Sequence, residues 1–214
     1  MSQCQCQAID TTFDRDLAEE QLERFQRRGP QKTTRMLLEQ VTALGVRGCT
    51  LLDIGGGVGV IQHELLAAGA AEVTSVDASS AYLAASRAEA ERLGHAGRVH
   101  YYFGDFVLLA PGIPPADIVT LDRVICCYDE MEVLVGVSSA KARTIYALVY
   151  PRGAWWVRLG IRLANLEHAI RGNPFRIFCH APAAVEEIVR AQGFLRVSHR
   201  NAGMWQVAVF ARAS

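Results

Sequence analysis

The stretch Leu51-Leu52-Asp53-Ile54-Gly55-Gly56-Gly57-Val58-Gly59 limits the possible folds most tightly, because a short apolar run carries a carboxylate just ahead of a bend made almost wholly of glycine. Val58, Ile61, Leu65 and Leu66 follow at helical spacing, so the chain is predicted to pass from a buried strand through a glycine turn into a helix. Gly55, Gly57 and Gly59 admit positive φ angles and leave no Cβ to hold a ligand off the main chain. The dinucleotide fingerprint G-x-G-x-x-G fits poorly. Val60 stands where its third glycine belongs, and Asp53 would oppose a pyrophosphate. A cationic ligand suits this turn better than a phosphate, and NAD is expected to bind far more weakly.

Two more strand ends sharpen the expectation. Val73 to Asp77 reads as a second buried strand closing on an acid, about one βαβ unit after Asp53. A carboxylate there can accept both hydroxyls of a ribose, with Ala78 beside it. His100 to Phe106 gives a third strand running into Gly104-Asp105. At that point a carboxylate can take a hydrogen bond from an adenine amino group while Phe106 packs on the ring. Asp117 to Asp122 reads as the fourth strand, and its end at Asp122 should border both cofactor and substrate.

Asp53-x-Gly55-x-Gly57-x-Gly59, Asp77 and Gly104-Asp105, in this order and spacing, resemble the class I S-adenosylmethionine-dependent methyltransferases over residues 30 to 212. The resemblance implies that Gly55, Gly56, Gly57 and Gly59 hold the methionine part of S-adenosyl-L-methionine. It likewise places Asp77 on the ribose and Asp105 on the adenine, with S-adenosyl-L-homocysteine as product. N-terminal helices over the pocket, common in this class, would put Lys32, Thr33, Thr34 or Arg35 near the cofactor carboxylate.

The alternation of strand and helix signals calls for an α/β fold: a doubly wound, Rossmann-like, seven-stranded sheet, mainly parallel with a C-terminal antiparallel hairpin. Residues 1–44 form a tail and helices, one with Phe13, Leu17, Leu22 and Phe25 ending at Gly29-Pro30, the next from Lys32 to Leu44. A long helix is predicted from Met131 to Val149, the fifth strand over Ala154 to Leu159, a helix from Pro182, and the hairpin over Leu195 to His199 and Trp205 to Arg212. Leu159, Leu163, Leu166 and Ile170 make an amphipathic inserted helix over about 159–172. Packing on the sheet edge is its plainest use; a substrate lid, a homodimer contact and a peripheral membrane contact are the alternatives.

Lysine plus arginine and aspartate plus glutamate number 22 each, so no global field draws the chain to nucleic acid, and a small or neutral substrate is expected. The 214 residues are read as one domain. The start Met1-Ser2-Gln3-Cys4 lacks the blocks of a secretion signal and no apolar run reaches membrane-spanning length, so a cytoplasmic protein is expected. Its six cysteines read as free thiols. Cys4 and Cys6 lack a partner pair at ligand spacing, so no metal site is expected, and a loose exposed tail is their plain reading.

Methyl transfer from a sulfonium is an in-line displacement in which the enzyme mostly positions the acceptor and excludes water. For a hydroxyl acceptor a general base helps, and His180, Tyr128 and His168 are the candidates. His180 ranks first because Phe178-Cys179-His180-Ala181-Pro182 follows the inserted helix. A narrower resemblance, to the magnesium-protoporphyrin O-methyltransferases, is carried by Arg27-Arg28-Gly29-Pro30 to Leu38 and by Phe178 to Phe194. O-methylation of a small, fairly apolar molecule is therefore expected. Two alternatives stay open: an S- or metalloid acceptor bound by Cys126 and Cys127, as the resemblance to arsenite methyltransferases would imply, and a cofactor-binding module without turnover.

Overall fold

The computed structural model describes residues 3–212, with side chains from Ala8 onward. Three helices lead in: α1 (Gln3–Thr12), α2 (Arg15–Arg28) and α3 (Lys32–Ala43). The strands are β1 (Thr50–Ile54), β2 (Glu72–Asp77), β3 (Val99–Phe103), β4 (Ala116–Asp122), β5 (Ala142–Pro151), β6 (Phe194–Ala202) and β7 (Trp205–Arg212), and they form one sheet in the order β3-β2-β1-β4-β5-β7-β6. Between them run α4 (Val60–Ala67), α5 (Ser80–Arg92), α6 (Phe106–Leu109), α7 (Met131–Ala140), α8 (Trp155–Ile170) and α9 (Pro182–Ala191). The first five strands are parallel, and β7 runs antiparallel to both β5 and β6. This is the Rossmann-like sheet with a closing hairpin that the sequence predicts.

Pleating sends successive side chains to opposite faces, and both faces are covered. Leu51, Ile118 and Ala147 pack with Leu37 and Val41 of α3 and Leu65 of α4. Leu52, Val119, Tyr146 and Phe210 pack instead with Leu134 of α7 and Val185 of α9. Leu51 and Leu52 are both fully buried, and each contributes about 1.5–3 kcal/mol on leaving water. That two-sided burial fixes the register that brings Asp53 between Ser75 on β2 and Thr120 on β4.

Two boundaries differ from expectation. The predicted long helix stops at Ala140, with Lys141 as its C-cap, and the fifth strand is Ala142–Pro151 rather than Ala154 to Leu159. A central strand buried on both faces shows no alternation, so Ile145, Tyr146 and Val149 continue the spacing of Leu134 and Val135 and imitate a helix. The β-branched and aromatic content of Thr144 to Tyr150 was the opposing signal. Residues 155 to 159 open α8, turning Val157 and Ile161 inward. The N-terminal segment also differs, since Gln3–Thr12 is helical rather than a loose tail. The side chains of Cys4 and Cys6 lie outside the described residues. Among those described, no helix is long and apolar enough to cross a membrane.

Candidate active site

A cavity of about 510 Å³ opens at the carboxyl ends of β1, β2 and β4, where the strand order reverses and open α/β sheets take their ligands. Its floor is the glycine bend between β1 and α4. Gly57 and Gly59 sit at φ 56° and 85°, a region costly for any residue with a Cβ. A Cβ on Gly59 would also stand 2.5 Å from Gln62 Nε2 and 2.6 Å from Ser86 Oγ.

Four carboxylates line the cavity: Asp53, Asp77, Asp105 and Asp122. Asp53 is buried. Its Oδ1 accepts the Thr120 hydroxyl at 2.6 Å, and its Oδ2 has no hydrogen-bond partner. Desolvation, offset by the Thr120 bond and reinforced by the negative charges of Asp122 and Asp77, pushes its pKa up to about 7. Asp77 accepts from the Gly57 amide at 2.9 Å and the Ser79 amide at 2.8 Å, so it ties the bend to β2; burial pushes it up to about 6 despite these bonds. Asp105 caps α6 through the Val107 amide at 3.0 Å and takes the Tyr128 hydroxyl at 3.1 and 3.2 Å. Asp122 accepts from Thr34 at 2.5 Å and pairs with Arg123 Nε at 2.9 Å.

An orphaned buried carboxylate oxygen among four acids is suited to a cation, and the amide-lined bend with Asp77 and Asp105 beyond it suits an adenosyl group. The chain's own residues therefore fit S-adenosylmethionine. Gly55, Gly56, Ala78, Gly104 and Phe106 line the same space. Replacing Asp77 with alanine should weaken S-adenosylhomocysteine binding by about 1.5–3 kcal/mol through loss of charged hydrogen bonds, with calorimetry as the measurement.

Of the four residues expected near the cofactor carboxylate, only Thr34 lines the cavity, and its hydroxyl is given to Asp122; Lys32 and Arg35 are exposed. The cations facing the cavity are Arg24 and Arg123 instead. Arg123 holds a positive φ of 62° directly after β4, and its guanidinium bonds Asp122 and, at 2.8 Å, Gln31 Oε1. Local sequence carries no sign of either arginine, since each reaches the site through tertiary packing. A strained φ at a strand end is a common mark of a functional position.

The cover comes from the N-terminal segment and from the connection between α8 and α9. Ile9 and Phe13 meet Phe175 and Ile177, with Phe13 edge-on to Phe175 at 5.6 Å and also 5.6 Å from Tyr82. Ser79 Oγ donates to the Phe13 carbonyl at 2.6 Å, and Ser80 donates to Asp10 through its amide at 2.8 Å. These bonds fasten α1 to the start of α5, over the acids.

The three base candidates separate clearly. His180 is not among the residues lining the cavity: its ring is stacked on Phe178, and Nε2 donates to the Tyr128 carbonyl at 2.9 Å. It steadies the turn after β4, so the first-ranked candidate is corrected. Tyr128 lines the cavity, but its hydroxyl is committed to Asp105. His168 lines the cavity, and its Nδ1 lies 3.1 Å from the Phe175 carbonyl. A carbonyl can only accept, so Nδ1 carries the proton and the neutral ring keeps its lone pair on Nε2. Cys126 and Cys127 also line the cavity with sulfurs 3.8 Å apart, but the hydrogen bond with the Cys127 thiol, and then burial, raise Cys126 well above the usual thiol range. It is thus a weak thiolate donor.

The sequence model of the methyltransferase-domain family matches residues 51–153, which holds the glycine bend, Asp77, Asp105 and Asp122. The ribosomal protein L11 methyltransferase of Edwardsiella ictaluri is 33% identical over 90 residues, covering 42% of this chain and 28% of that protein. The chain thus spans about a quarter of the length of the curated relatives it matches. Among solved structures, the magnesium protoporphyrin IX methyltransferase of Synechocystis PCC 6803 with bound S-adenosylhomocysteine superposes with a TM-score of 0.71 at 18% identity, over 95% of this chain and 100% of that one. An O-methyltransferase family protein from Burkholderia thailandensis gives 0.67 at 18% identity, over 85% of this chain and 56% of that one. Likeness at such identity is one of fold. Joined to the matched motif, it gives residues 51–153 a methyltransferase domain and the chain the fold of S-adenosylmethionine-dependent methyltransferases, with a cavity suited to an adenosyl cation.

Proposed function

We propose that the protein methylates an oxygen of a small, fairly apolar molecule, with His168 as general base. The observation that carries this reading is the covered cavity itself, in which an apolar wall of Ile9, Phe13, Phe25, Phe175 and Ile177 encloses the acids and one imidazole whose Nε2 is free to take a proton. The cofactor supplies an electrophilic methyl group. With the methyl group transferred from the sulfonium to the acceptor oxygen, His168 Nε2 would take the hydroxyl proton. The apolar wall excludes water and holds the acceptor in line.

A protein acceptor is the second reading, favoured by the L11 methyltransferase relatives. The apolar cluster of Phe13, Phe175 and Ile177 beside the acids favours the small acceptor. Purified protein incubated with S-adenosylmethionine and panels of phenols, carboxylic acids and ribosomal protein L11 separates the two. S-adenosylhomocysteine formed with a small hydroxyl compound supports the proposal. Formation with L11 alone would overturn it.

A further inference from the structure

We propose that α8 docks the protein on an anionic lipid bilayer surface. The helix has two apolar faces set back to back. At 100° per residue, Val157, Ile161 and Ala164 point to the body of the protein, beside His168 at the cavity. Trp155, Leu159, Leu163, Leu166 and Ile170 fall on the opposite side within roughly 100° of arc. All five are exposed: Trp155 76%, Leu159 49%, Leu163 59%, Leu166 57% and Ile170 78%. The stripe expected to pack on the sheet edge therefore faces outward, and the packing stripe is the other one. Trp156 lies at its margin, also exposed. A continuous apolar strip of this kind marks an interaction surface.

Charge identifies the occupant. The chain as a whole is neutral, yet residues 151–176 hold Arg152, Arg158, Arg162, Arg171 and Arg176 against the single acid Glu167, a local balance of +5 − 1 = +4. Glu167 is taken by Arg171 at 2.8 Å, while Arg158 and Arg162, which flank the apolar stripe, have no ion-pair partner among the described residues. Tryptophans at one end, an aliphatic stripe and arginines along its edge match a helix lying in the plane of an anionic membrane interface. A two-fold pairing with a second copy would instead set one net-positive helix against another. A nucleic acid would engage the arginines but leave the apolar stripe in water.

The surface is independent of the acceptor, so its test does not depend on the methyl-transfer reading. The full chain is pelleted with vesicles of phosphatidylcholine alone or mixed with phosphatidylglycerol, at two salt concentrations, and tryptophan quenching by brominated lipids is followed. Pelleting on the mixed vesicles, weakened by salt, is expected, with quenching of Trp155 and Trp156. Arg158→Gln and Arg162→Gln should lower the partition about fivefold each. Leu159→Glu with Leu163→Glu should abolish it, while an unchanged thermal midpoint and unchanged S-adenosylhomocysteine affinity show that the fold is kept. Absence of pelleting on mixed vesicles, equal pelleting on neutral ones, RNA binding without vesicle binding, or a solution dimer dissolved by the glutamate changes without lipid quenching would each overturn the proposal.

Discussion

His168→Ala should lower turnover by roughly 10²–10⁴-fold, the usual contribution of a positioned general base, while S-adenosylhomocysteine affinity stays within about twofold because the change leaves the four acids untouched. His168 enters the site from α8, with Asn165 one turn earlier anchoring the covering strap through bonds of 2.7 and 2.8 Å to the Ile177 backbone. The ring orientation is set by Nδ1–H on the Phe175 carbonyl, which leaves Nε2 with the lone pair that a base needs. A base matters less as the acceptor becomes more acidic. The loss should therefore shrink along a series of phenols of falling pKa, whereas a purely structural defect would cost the same for all of them. Single-turnover kinetics across such a series checks this, and a uniform loss would remove the base assignment. His180→Ala, by contrast, should act only through the turn at Tyr128, with the smaller loss expected of a positioning contact.

The parts of the site that could be read in advance were those written in consecutive residues. Asp53, Asp77 and Asp122 lie at or next to the ends of buried strands and Asp105 follows the more exposed edge strand β3, so each acid falls at the sheet's carboxyl edge. Register then does the rest, as when Thr120 on β4 comes opposite Asp53 and gives it a hydrogen bond. Residues reached across the fold were not legible. Arg24 lies on α2 and Arg123 in a left-handed turn, and nothing near either in sequence distinguishes it from a solvated arginine. The choice among histidines failed for the same reason: position along the chain favoured His180, while the direction of each ring is decided by the backbone carbonyl it meets. The exchange of strand and helix around Pro151 arose differently. There, period-based reading met a strand buried on both faces, which has no period of its own, and the aromatic start of α8 resembled the strand it follows.

Cofactor affinity should fall about tenfold per pH unit below pH 7, reaching about a hundredfold at pH 5, because Asp53 must be ionised to receive a cation and the fold pushes its pKa up to about 7. The sign follows from the environment. In the cofactor-free protein the raised pKa means that the folded state holds a proton that the unfolded chain, at the ordinary carboxylate value, has released. That protein accordingly loses stability as pH rises from about 4 toward 7. Binding reverses the balance: a positive ligand near Asp53 favours the carboxylate, so near neutral pH a proton leaves as the cofactor enters. A free α-amino group is already cationic below pH 7, so the acid-side loss belongs to the protein. Asp77, raised to about 6, steepens the fall below that pH. Asp53→Asn should bind weakly but with almost no pH dependence between 8 and 6, and the thermal shift produced by S-adenosylmethionine in the wild type should be larger at pH 8 than at pH 5. Calorimetry in buffers of different ionisation enthalpy reads the released proton directly. An affinity flat from pH 8 to 5 would mean that Asp53 stays ionised without the cofactor, and that its unpartnered oxygen is not what selects the cation.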